Sequence, residues 1–378
     1  MRCVLPQIEV ESALVDAEKL KQFCLQLLTQ ADLKPEEAEL VADSLVESNL
    51  RGIDSHGVAR LPHYLERIRQ QSIKARPAMQ WEPLGEAVGR VDGDHGLGQL
   101  AMVKAADHAV ELARGSGAGW VSICNSSHCG ALAYYGLRIA REGMIGFVFT
   151  HVDPMVTPHG SAEPFCGTNP VCITAPGKNE QSLCLDMATS ITPWNTVANA
   201  ATEGVSIPSG WALDANGEGT TDPHQVAALF PFGGFKGSGL GLLIDVLCAL
   251  LGGAPIGPDI PKMYGDLSQR RLLGGMVGAI DISRFTEVSG FQDRIADIIE
   301  RWGALKPLTA GEKVLYPGEP EALQREERLQ TGIPVGLNLI KVFNELAEQR
   351  GLPALETEGS VAEDCTSEVA SSTTESVR

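Results

Sequence analysis

Between residues 87 and 282, short apolar runs rich in β-branched residues alternate with longer segments of helical periodicity. The runs 87–91, 119–124, 145–150, 171–174, 183–186 and 274–282 are bounded by Gly, Pro and Asn and read as strands. The segments 101–113, 131–142, 239–251 and 291–302 read as helices. This alternation restricts the middle of the chain to an α/β core. The flanks differ. A helix over 15–30 places Leu20, Phe23, Cys24, Leu27 and Leu28 on one face. A second starts at Pro35 beside Glu36 and Glu37. A third follows Ser55-His56-Gly57, with Leu61, Tyr64, Leu65 and Ile68 on one face. Two more helices are expected near 321–330 and 337–348. The expected organisation is a helical part, 8–75, joined by C-terminal helices within 321–352, around a central α/β domain, 76–320. From residue 355 onward Ser, Thr and Glu dominate without periodicity, which predicts a disordered acidic tail, 355–378.

Charge narrows the partners. The 378 residues carry 30 Lys+Arg against 48 Asp+Glu, a formal charge of −18. A nucleic-acid reader or a binder of anionic membrane needs the opposite balance. No apolar run of ~18 residues spans a bilayer, and the first residues lack a secretory pattern. Nine cysteines, none in a C-x-x-C pair, read as reduced core thiols of a cytoplasmic protein. No H-x-x-x-H or H-E-x-x-H occurs, so no metal is expected.

Four segments could carry chemistry. Gly96-Leu97-Gly98-Gln99-Leu100-Ala101 matches the dinucleotide fingerprint G-x-G-x-x-A, but the next strand ends in Asn125 rather than an acid. A glycine-rich turn before a helix is the plainer reading. Pro231-Phe232-Gly233-Gly234-Phe235-Lys236-Gly237-Ser238-Gly239 runs into an apolar helix. It is either an anion cradle or a packed turn with Lys236 in solvent. His128 lies in the loop after the strand 119–124, at a strand's carboxyl end, where open α/β sheets place ligands. Ser55, His56 and Arg60 cluster at a helix start, with Arg60 four residues after His56 and on its face if helical. Adjacent Ser-His pairs without a G-x-S-x-G elbow do not make a hydrolase.

Together these segments resemble the malate/L-lactate dehydrogenase family. The resemblance rests on DSHGVARLPHYLERI (54–68), NSSHCGALAYY (125–135), DPMVTPHGSAEPFCGTNP (153–170), LDMATS (185–190), IPSGWALDANGEGTTDP (207–223), PFGGFKGSGLGLLIDVL (231–247) and MYGDL (263–267). It implies a nicotinamide-binding α/β core that is not a Rossmann fold, NAD or NADP as cofactor with NAD favoured, and a homodimer or higher oligomer with shared active sites. It implies His128 as the proton-transfer residue, with Asp153 beside it to orient or tune the ring. It implies a small anionic substrate held by Ser55, His56, Arg60, Tyr64 and Arg271. It implies cofactor contacts from Val152, Asp186, Met187, Ala188, Lys236 and the segment Gly318-Glu319-Pro320. The implied reaction interconverts a small 2-hydroxy acid and its 2-oxo acid. The alternatives are reduction of a cyclic imino acid, or a nicotinamide-binding protein without activity. One departure stands out: after Ser190 many relatives carry Gly-Lys, whereas here Ile191-Thr192-Pro193-Trp194-Asn195-Thr196 follows.

Overall fold

The computed structural model describes residues 11–361. The first three helices are Ala17–Gln30, Pro35–Leu50 and Leu61–Arg69. Asp16 caps the first by accepting from the Glu18 and Lys19 amides at 3.0 Å. Pro35 opens the second, where its missing N–H has no intrahelical partner to lose. Leu20, Phe23, Leu45 and Tyr64 of these helices share one core with Ile340 and Phe343 of the helix Leu337–Glu348. A small sheet ties the chain ends further: Ser12–Val15 pairs antiparallel with both Ile333–Gly336 and Glu358–Val361.

This corrects the expected tail. Leu355 is buried, its N–H donates to Asn344 Oδ1, and Glu358–Val361 is a paired strand. Polar composition does not forbid a strand once another segment offers a free edge, and that edge comes from the far end of the chain. The remainder of the expected tail, 362–378, lies outside the described residues.

The central sheet has seven strands in the order Gln80–Pro83, Val88–Asp92, Ala118–Ser126, Leu273–Asp281, Met144–Thr150, Val171–Ala175, Leu183–Met187. It is a mixed sheet. Val88–Asp92 and Ala118–Ser126 pair parallel across the helix Gly98–Ser116, and all other neighbours pair antiparallel. The central strand Leu273–Asp281 is buried almost throughout, and at Gly278 a Cβ would lie 2.4 Å from the Trp120 ring.

These directions decide where the site can be. Ala118–Ser126 and Met144–Thr150 flank the same antiparallel strand, so they run the same way. Two more antiparallel steps return Leu183–Met187 to that direction. The carboxyl ends of Val88–Asp92, Ala118–Ser126, Met144–Thr150 and Leu183–Met187 therefore meet at one edge. The amino ends of Leu273–Asp281 and Val171–Ala175 are there too. One edge thus collects the segments holding Gln99, His128, Val152, Asp153, Asp186 and Arg271.

Candidate active site

His128 sits on a pinned loop. Asn125 adopts the left-handed conformation, φ 48°, and its side-chain amide donates to Asp92 Oδ2 at 3.0 Å. Ser127 Oγ accepts from the Gly98 amide at 3.0 Å and donates to Gly96 O at 2.9 Å. A Cβ at Gly98 would meet Ser127 O at 2.3 Å. The glycines of 96–101 thus let a helix start press against the His128 loop. Ser127 Oγ already takes the Gly98 amide that an anion would need, which fits the plainer reading of that motif.

The opposite wall is the turn after Pro35–Leu50. Asn49 is buried; its amide donates to Asp54 Oδ1 at 2.6 Å and its carbonyl accepts from the Val58 amide at 2.8 Å. The result is two short 3-10 turns, Asp54–His56 and Val58–Arg60, before the third helix begins. The expected four-residue helical spacing of His56 and Arg60 is therefore corrected. Gly57 interrupts it, because Asn49 packs where a Cβ would be. Arg60 instead folds back, with Nε donating to Ser55 O at 2.6 Å and a second nitrogen donating to the Tyr264 hydroxyl. Ser55 Oγ lies 2.8 Å from His56 Nδ1. The His56 and His128 rings stack with centroids 5.5 Å apart.

Between these walls lies a cavity of about 560 Å³. Ser55, His56, Arg60 and His128 line one part of it, and Val152, Asp186, Met187 and Ala188 another. Ile53, Leu132, Met155 and Pro170 add apolar surface. Burial, with Arg60 close by, lowers the His56 pKa to about 4. His128 is driven well below its ordinary value, first by burial and then by His56, Arg60 and Arg271. Both rings are therefore neutral at pH ~7. Burial raises the Asp186 carboxyl to about 6, although it accepts the Ala133 amide at 2.7 Å.

The other predicted residues stand outside the lining. Tyr64 is fully buried behind His128, with its hydroxyl 2.6 Å from His128 Nδ1. Asp153 makes no hydrogen bond to His128. It is paired with Arg271 at 2.5 Å and accepts from the Met263 amide at 3.3 Å. The residue holding the His128 ring is thus Tyr64, because the Asp153 carboxylate is drawn to a buried guanidinium. Lys236 is exposed at the start of the helix Phe235–Asp245, which packs through Gly237 on Thr189. Gly318-Glu319-Pro320 opens the helix Glu319–Thr331, next to Cys184. Both segments therefore adjoin the stretch 183–190 that forms the cavity wall.

Several residues of the site and its support escaped sequence reasoning. Tyr264 belongs to the quoted MYGDL segment, yet nothing local marks it as a partner for Arg60. Pro193, Trp194 and Asn195 line the cavity where many relatives carry Gly-Lys, and Asn195 reaches Ser55 O at 3.4 Å. Gln99 donates to the Tyr64 hydroxyl at 3.1 Å, and its position inside a decoy motif hid it.

A neutral buried imidazole beside a guanidinium, over an apolar floor at a sheet edge, suits proton exchange on a small carboxylic acid. Such a site is that of a 2-hydroxy acid dehydrogenase, an oxidoreductase. The chain belongs to the malate/L-lactate dehydrogenase family, whose model matches residues 15–344. It is 36% identical to the ureidoglycolate dehydrogenase (NAD(+)) of Escherichia coli K12 over 321 residues, covering 85% of this chain and 92% of that one. It superimposes on the sulfolactate dehydrogenase of Methanocaldococcus jannaschii with a TM-score of 0.84 and 30% identity, over 90% of this chain and 98% of that one. The Δ1-piperideine-2-carboxylate reductase of Pseudomonas syringae pv. tomato gives 0.80 and 26%, covering 88% and 99%.

Proposed function

We propose that the protein oxidises a small 2-hydroxy acid of the ureidoglycolate type, using NAD, with His128 taking the hydroxyl proton. The carrying observation is His128 itself. It is buried and neutral, with Nδ1 engaged by Tyr64, while Nε2 makes no hydrogen bond among the described residues and the residue lines the cavity beside Arg60. Arg60, with the Ser55–His56 corner, fixes the substrate carboxylate and so orients the C–H that leaves. The proton passes from the substrate hydroxyl to His128, and the resulting imidazolium stabilises the developing carbonyl oxygen. Asp153 and Arg271 brace the segment holding Met263 and Tyr264.

A nicotinamide cofactor fits these residues: Val152, Met187 and Ala188, with Met155 and Pro170, offer apolar surface for a flat ring, and Asp186 a polar edge. When bound, it accepts the hydride. Lys236 and Gly318-Glu319-Pro320 would hold more distant parts of the dinucleotide. The fold is a nicotinamide-binding core other than a Rossmann fold, with a helical domain built from both chain termini. The one parallel pair among the described strands of the central sheet and the core shared by Phe23 and Phe343 support this. A homodimer is supported by apolar side chains exposed on one helical stretch, Leu242, Leu243, Leu250 and Leu251. A cytoplasmic setting is supported by seven free, buried cysteines among the described residues. No helix among the described residues is long and apolar enough to cross a membrane.

His128→Ala tests the reading. Turnover should fall about 10²–10⁴-fold with NAD affinity nearly intact, and turnover within about threefold of wild type would refute it. A panel of ureidoglycolate, malate, lactate and Δ1-piperideine-2-carboxylate sets the substrate class. Selective turnover of the last would favour the imino acid reading that the Pseudomonas syringae structure raises. NAD binding without turnover of any would favour an inactive binder.

A further inference from the structure

Gln99 is wholly buried beneath the site. Its Nε2 donates to the Tyr64 hydroxyl at 3.1 Å, and its Oε1 is buried without a hydrogen-bond partner among the described residues. Tyr64, also fully buried, meets His128 Nδ1 at 2.6 Å. The Gly130 amide points at the same nitrogen from 3.3 Å. Burial raises the Tyr64 pKa, so it stays a phenol with one hydrogen to give.

That single hydrogen links the three side chains. While Gln99 Nε2 donates to Tyr64, the phenol donates to His128 Nδ1. Nδ1 is then an acceptor, and the neutral ring carries its proton on Nε2. A ring in that state can donate to a substrate oxygen but cannot take a proton at Nε2. To act as a base it must hold its proton on Nδ1 and donate to Tyr64, giving up the long contact from the Gly130 amide, and the Tyr64 hydrogen must then find another acceptor. The orphaned Gln99 Oε1 becomes that acceptor after a half-turn of the amide. The unpartnered buried carbonyl is thus the second position of a switch.

We propose that Gln99 is a positioning residue: its amide sets the direction of the Tyr64 hydroxyl and thereby which His128 nitrogen is bare. This rests on the reading of His128 as the proton-transfer residue. In the oxidation direction the substrate C–H pair leaves as hydride to NAD and the O–H proton bonds to Nε2. Nδ1–H keeps donating to Tyr64, Tyr64 donates to Gln99 Oε1, and the imidazolium later releases its proton to solvent. His56 stacks on the ring, Arg60 on the same turn, His63 on the third helix and Arg271 act on it by charge, and none changes in the variants below.

The test uses Gln99→Leu, which removes the amide, and Gln99→Glu, which keeps its shape but accepts from Tyr64. In ¹⁵N-histidine-labelled full-length protein without ligands, Gln99→Glu should favour the Nδ1–H tautomer and raise the His128 titration midpoint by about one unit. Gln99→Leu should lower kcat for ureidoglycolate or malate with NAD about tenfold while leaving both KM values within about threefold. In a Tyr64→Phe background it should cost nothing further, because the link is already cut. Gln99→Met replaces Gln99→Leu if the latter folds poorly. An unchanged tautomer and midpoint in every variant overturns the proposal, as does an undiminished tenfold loss in the Tyr64→Phe background. Neither result touches the His128 assignment, which stands or falls on His128→Ala.

Discussion

Arg67 should control substrate affinity without touching substrate. It is 2% exposed and reaches from the third helix into the segment 262–269. Its guanidinium donates to Met263 O at 2.7 Å and Gln269 O at 3.0 Å, and more weakly to Lys262 O and Leu267 O at 3.4 Å. Its Nε donates to His63 at 2.9 Å. That segment carries Tyr264, the hydroxyl partner of Arg60. Arg67→Met keeps the aliphatic volume and deletes the donors. The two short bonds to carbonyls are charge-assisted, at about 1.5–3 kcal/mol each. The carbonyls regain some water as the segment loosens, which leaves a net loss of about 3 kcal/mol. With roughly 350 described residues at about 2.1 cal/mol/K each, Tm should fall by about 4 °C. Freed from Tyr264, Arg60 should hold the carboxylate less well, raising KM about tenfold with kcat within about threefold. Calorimetry and steady-state kinetics read both effects. A Tm within about 1 °C of wild type together with an unchanged KM would refute this cross-brace.

Arg60→Lys should raise substrate KM more than it lowers kcat, because a point charge cannot reproduce a planar fork; an unchanged KM speaks against Arg60 as the carboxylate clamp. Gly98→Ala puts a methyl against Ser127 O, so a loss of about 1–3 kcal/mol and a displaced His128 loop are expected. Equal stability and kcat would show that the helix start is not pressed on that loop. His56 and His63, held to about 4, and His128 stay neutral when folded but charge near pH ~6.5 when unfolded. Their stabilisation is complete above pH ~6.5 and is lost as pH falls toward ~4. Asp186, raised to about 6, works the other way between about 6 and the usual carboxylate range. Three imidazoles outweigh one carboxyl, so Tm should be lower at pH ~5 than at ~7, and an equal or higher Tm at ~5 contradicts the buried neutral rings. Leu243→Glu should weaken self-association in sedimentation, and an unaltered assembly places the subunit contact elsewhere.

Local periodicity and end signals determined much of this protein unaided. The β-branched run before Asn125, the Pro35 helix start and the Leu20–Leu28 stripe become the strand Ala118–Ser126, the helix Pro35–Leu50 and the core-facing side of Ala17–Gln30. These signals act over a few residues, within reach of backbone dihedrals and side-chain alternation. Long motifs singled out His128, Arg60 and the stretch 186–188, which line one cavity. What those residues touch was not. The return of three strands to a common direction brings His128, Val152 and Asp186 to one edge. Pairing order alone decides this, and it depends on the edges that distant segments present. Asp153 goes to Arg271 and Tyr64 to His128 because a buried group takes whichever partner the packed chain supplies, whatever its distance in sequence. Gln99 is the clearest case. Its neighbours in sequence suggest a phosphate loop, and only the packing of a helix start against the His128 loop makes it the inner end of a hydrogen-bond chain.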